Sequence, residues 1–95
     1  MKRIVLYDSV GKFAENKDIA RAIRLNEIQP SLETNEEIIL DFKKVEVATQ
    51  SFIHALISEI IRKHGNDVLD RVAFKSCNSD IQQIVKIVVD YMQDG

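Results

Sequence analysis

Three short apolar runs punctuate the chain. They are Arg3-Ile4-Val5-Leu6-Tyr7, Glu37-Ile38-Ile39-Leu40-Asp41-Phe42 and, more weakly, Arg71-Val72-Ala73-Phe74-Lys75. All three are rich in strand-forming residues, and the first closes in the turn-forming Asp8-Ser9-Val10-Gly11. Continuous runs, in place of strict alternation, predict strands covered on both faces, as in parallel sheets. Between the runs the apolar period changes to that of a helix. The spacing predicts helices over roughly Lys17–Ile28, Gln50–Lys63 and Asp80–Gln93. Asn16 precedes the first as an N-cap, and Pro30 follows it as a stop or restart. Gly65 is placed to end the second, and Asn78 or Ser79 to cap the third.

The resulting order, β-α-β-α-β-α, predicts an α/β fold with a small, mainly parallel sheet of about three to four strands. Right-handed crossovers added in one direction put the helices largely on one face. Residues 1–95 read as a single domain, without repeat, linker or low-complexity tract.

The helix faces say more. At about 100° per residue, Phe52, Ile53, Leu56, Ile57, Ile60 and Ile61 fill one half of the second helix. Ser51, His54, Ser58 and Arg62 form a polar stripe opposite, which predicts one buried and one exposed face. In the third helix, Ile81, Ile84, Val85, Val88 and Met92 make a core stripe that Ile87, Val89 and Tyr91 widen. So wide an apolar arc either covers a large sheet or meets a partner, and Ile87 and Tyr91 are its candidate contacts in a homodimer.

Composition removes several function classes. Thirteen basic and 15 acidic residues, scattered through both halves, give a net charge of −2. No basic stripe points to nucleic acid, and the doublet Lys43-Lys44 releases too few counterions to anchor it. The single cysteine, Cys77, can form no intramolecular disulfide or thiolate cluster, and a lone thiol fits a reducing, cytoplasmic setting. Nothing in the sequence reads as a leader or a membrane span, and no membrane partner is expected.

The phrase IILDFKKVEVATQSFIHALISEI resembles the STAS fold group, the sulfate-transporter and anti-sigma-factor-antagonist domains. In that group a Leu-Asp-Leu strand end leads through a short loop to a helix opening on Asp-Ser-Ser-Gly-Leu. Here Leu40-Asp41-Phe42 stands at the strand end, Val45 and Val47 at apolar loop positions, and Thr49-Gln50-Ser51-Phe52 at the helix start. More specifically, the exit LDF-x-x-V and the entry Ser-Phe, with the preceding IARAI helix, resemble a bacterial STAS-like family of unknown function over residues 13–90. The resemblance implies a non-enzymatic regulatory or protein-interaction module whose partner is a kinase-like ATPase or another regulatory protein. The departures matter as well. The serine that accepts phosphate in anti-sigma antagonists corresponds to Gln50, the Asp before it to Thr49, and only Ser51 keeps its identity.

Docking would then use the loop and helix that follow the central strand, with Lys43, Lys44, Glu46, Thr49, Ser51, His54, Ser58 and Arg62 as contact candidates. Thr49 and Ser51 are candidate phosphoacceptors, since a helix N-terminus tolerates phosphate, although capping accounts for either hydroxyl without a partner. Ser51 and His54 share a helix face but lack the orienting acid and amide pocket that a nucleophile needs. An alternative is a small metal- or nucleotide-binding enzyme built on Asp8 and Asp41 at adjacent strand ends, where open α/β sheets place their ligands. Both aspartates also have plain readings as turn acceptors. The pair His54 and His64 has no third ligand nearby, and no cofactor is implied.

Overall fold

A computed structural model describes residues 1–94 of the chain. Strands β1 (Lys2–Val5), β3 (Ile38–Asp41) and β5 (Val72–Lys75) form a parallel sheet in the order β1-β3-β5. Ile4, Leu40 and Phe74 lie in register across it, as do Lys2, Ile38 and Val72. A second, two-stranded parallel sheet joins β2 (Phe13–Ala14) to β4 (Val47–Ala48). The helices are α1 (Tyr7–Val10), α2 (Lys17–Ile23), α3 (Gln29–Glu33), α4 (Gln50–His64) and α5 (Ser79–Asp94). The α/β class, the small parallel sheet and the three main helices follow the sequence pattern.

The helical layer covers one face of the sheet. Ile4, Ile38, Leu40 and Val72 are buried beneath it, whereas Arg3, Val5 and Lys75 on the alternate positions are exposed. The expectation of strands covered on both faces is therefore corrected. Four-residue strands offer only about two outward positions each, so an Ile39 or an Ala73 is enough to erase visible alternation. Helix α4 is central, packed between α2 and α5. Phe52, Ile53, Leu56, Ile57 and Ile60 are wholly buried along it.

Local chemistry sets the ends. Asn16 Oδ1 accepts from the amides of Asp18 and Ile19 at 2.8 and 3.3 Å. Thr49 Oγ1 accepts from Phe52 N at 3.1 Å, and Asn78 Oδ1 from Ile81 N at 2.9 Å, which settles the choice between Asn78 and Ser79. Gly65, at φ 80°, returns its amide to Ile61 O and stops α4 in a backbone region that favours glycine. The first predicted helix differs. Beyond α2 the chain passes through a π-helical turn at Arg24–Ile28 and continues as α3 through Pro30. The wider turn resets the hydrogen-bond ladder, so Pro30 falls in the first turn of α3, the part of a helix that tolerates proline.

Candidate functional site

The C-terminal ends of the parallel strands open into three connections, and each contains a left-handed residue: Gly11 (φ 68°), Lys44 (φ 72°) and Ser76 (φ 60°). For lysine and serine that conformation costs about 1–2 kcal/mol each, so cross-links must hold it. They do. Glu46 N and Val47 N both donate to Lys12 O, at 2.8 and 3.1 Å, and Thr49 N donates to Ala14 O at 3.0 Å. Asn78, while capping α5, also donates from Nδ2 to Glu46 O at 2.9 Å. The Lys12 ammonium lies 3.7 Å from the Glu46 carboxylate, and the Lys44 ammonium 5.6 Å from the centre of the Tyr7 ring. The three connections thus form one braced rim.

Register places Phe13 beside Val47 on this rim. Both are exposed, at 56% and 43%, whereas Val45, two residues earlier, is buried. Lys43, Lys44 and Glu46 are exposed around them. At the start of α4, a cavity of about 490 Å³ is lined by Lys17, Gln50, Ser51, His54 and Ala55. The sequence reading assigned Lys43, Lys44, Glu46, Thr49 and Ser51 to this region and missed Phe13. It took Val47 as a loop position only. The available signal was the shared pattern of a charged residue, a large apolar residue and an alanine in each loop, Lys12-Phe13-Ala14 and Glu46-Val47-Ala48.

The helix stripe divides. Ser51, His54 and Arg62 are exposed, and Arg62 pairs with Glu59 one turn back. Ser58, expected among them, is 2% exposed and is no surface contact. The correction has a simple cause: α4 has helices on both flanks, so its buried arc is far wider than half. Thr49 is half-buried and its hydroxyl is engaged as the cap, whereas the side chain of Ser51 faces solvent. Ile87 and Tyr91 on α5, at 49% and 69% exposure, do not serve the core of their own chain.

The hydrogen bonds of Asp41 are made with Arg3 and Lys43 and do not involve Asp8. Asp41 is 4% exposed, and both of its oxygens are taken. Oδ1 accepts from Lys43 N at 2.9 Å, and Oδ2 accepts from Arg3 Nη2 at 2.8 Å and Nε at 3.2 Å. The Lys43 amide and then the Arg3 guanidinium hold its pKa below the ordinary value, against the opposing effect of burial. Asp8 is exposed in the short helix α1. Among the described residues no three His, Cys, Asp or Glu side chains gather as metal ligands. Burial, followed by the nearby Asp41 charge, pushes the half-buried Cys77 thiol up to about 11, far from a reactive thiolate at neutral pH. No helix among the described residues is long and apolar enough to cross a membrane.

Comparison with known families matches residues 22–82, from α2 into the first turn of α5, to the family described as "STAS-like domain of unknown function (DUF4325)". The chain belongs to this family. No curated protein and no solved structure shows a match to it.

Proposed function

We propose that the chain is a non-enzymatic regulatory module that docks another protein through its rim. The observation behind this reading is the exposed pair Phe13 and Val47, held side by side on a braced platform. Exposed apolar side chains within a charged surround suit the centre of a protein contact, where burial of an aromatic anchor supplies most of the affinity. Lys43, Lys44, Glu46, Ser51 and His54 would form its polar border. A kinase-like ATPase or another regulatory protein fits as the partner, from the resemblance to anti-sigma-factor antagonists. If the border is modified, Ser51 is the better phosphoacceptor, because Thr49 already uses its hydroxyl in the helix cap.

The test is co-purification from the native host with quantitative mass spectrometry, comparing the wild-type chain with Phe13→Glu/Val47→Glu. A stoichiometric partner lost in the double variant, at unchanged circular dichroism and thermal midpoint, supports the docking rim. A partner retained by the folded variant refutes it.

A further inference from the structure

Helix α5 carries an unpartnered surface whose charged flank, at Lys86 and Asp90, borders a cavity of about 460 Å³ over Val72 and Phe74 of β5. Ile87 and Tyr91, at 49% and 69% exposure, are among the most exposed large apolar side chains of the chain. They are four residues apart and so share a flank, about 40° from each other around the axis. Lys86 and Asp90, also four apart, share the adjoining flank, where the ammonium lies 2.7 Å from the carboxylate. The exposed face thus has an apolar half and a charged half, and the charged half bears one sign on each successive turn.

We infer that this face pairs with a second copy of itself, the two α5 helices running antiparallel about a twofold axis. A twofold perpendicular to both helices brings like flanks together, as isologous contacts require. Ile87 then meets Tyr91 of the second copy, and the axis passes level with Val89. On the other flank Lys86 lies only two residues, about 3 Å along the axis, from the level of the second copy's Asp90. Each ammonium finds a carboxylate across the contact as well as within its own helix, and these two opposite-sign pairs outweigh the single like-sign approach of the two Asp90 carboxylates, which share the same offset of about 3 Å. The parallel alternative places the apolar flank of one helix on the charged flank of the other, so it gains neither burial nor charge pairing. The charges therefore select the second copy and its direction, whereas a generic apolar partner needs no such pattern.

Two apolar side chains per protomer make a small contact, at the weak end of specific interfaces. Self-association therefore belongs in the range from tens to hundreds of micromolar, and sedimentation equilibrium up to about 1 mM reads it. Lys86→Glu opposes carboxylate to carboxylate, and Asp90→Lys opposes ammonium to ammonium. Each alone should weaken self-association by about 10-fold. Mixed in equal amounts the two variants become complementary at both contacts and should form a heterodimer at least as tight as the wild-type dimer. Ile87→Glu should stay monomeric while folded. Wild-type protein that is monomeric throughout, or a charge-swapped mixture no more associated than its components, overturns the inference. Because these changes leave Phe13 and Val47 untouched, failure here is distinguishable from failure of the docking rim.

Discussion

Asp41→Asn isolates what the buried carboxylate contributes to the fold. The side chain is isosteric, and its Oδ1 can still accept from Lys43 N, so no cavity forms. Two effects are removed. The Lys43 amide bond falls from a charged to a neutral one, a loss of about 1 kcal/mol. The paired bonds from Arg3 vanish, and an amide NH₂ faces the guanidinium instead. Since Arg3 is 58% exposed, its share is discounted towards a surface ion pair, about 1 kcal/mol at most. The sum is about 2 kcal/mol, or roughly 8–16 °C in the midpoint of a domain this small. The pH dependence fixes the cause. A carboxylate with a depressed folded pKa contributes its full stabilisation above the unfolded value of about 4, and loses it as pH falls through the folded value. Urea unfolding of both proteins at pH 7 and pH 2 should thus show a gap of about 2 kcal/mol that nearly closes in acid. Arg3→Met, which leaves the Lys43 bond in place, should open only the smaller part of the gap. A gap that persists unchanged at pH 2, or one below about 0.5 kcal/mol at pH 7, would refute the assignment of that stability to an ionised Asp41.

Three further changes separate surface from interior along the loop and helix. Thr49→Ala removes the acceptor for Phe52 N at the head of α4 and should lower stability by about 1 kcal/mol in urea unfolding, with Thr49→Ser largely restoring it. Ser51→Glu places a negative charge on an exposed side chain in the first turn of α4, where the helix dipole favours it, and the thermal midpoint should hold or rise slightly. Ser58→Glu forces a carboxylate into a position 2% exposed and should cost more than about 3 kcal/mol or prevent folding. Equal midpoints for the two glutamate variants would show that Ser58 is accessible after all.

The features legible in the sequence were those with local causes. Asn16, Thr49 and Asn78 cap helices by bonding amides two or three residues ahead, and Gly65 ends α4 with a backbone only glycine adopts freely, so each signal lies within one turn of its effect. The runs around Ile4, Leu40 and Phe74 gave the strands and the central loop for the same reason. What remained hidden depends on distant partners. The rim pair Phe13 and Val47 arises from two-residue strands 34 positions apart, too short to show a strand period. The guanidinium that occupies Asp41 comes from 38 residues away. The helical wheel gave the polar direction of α4 but not its number of neighbours, which is what buries Ser58.

The two proposed surfaces have a geometric relation that gives the dimer a consequence. Helix α5 begins at the rim, directly after the third connection, and runs back along the sheet for 16 residues, about 24 Å. Antiparallel pairing of two such helices points the two rims to opposite ends of the assembly. Neither Phe13–Val47 platform is then covered by self-association, and each can hold a partner at the same time. A parallel arrangement would set the rims side by side, where two bulky partners would compete for space. The antiparallel dimer thus predicts bivalent binding, read as a 2:2 complex by light scattering above the dimer dissociation constant. The Ile87→Glu chain should give 1:1 complexes with unchanged affinity per site. A 2:1 complex, with one partner spanning two chains, would place the rims together and refute this orientation.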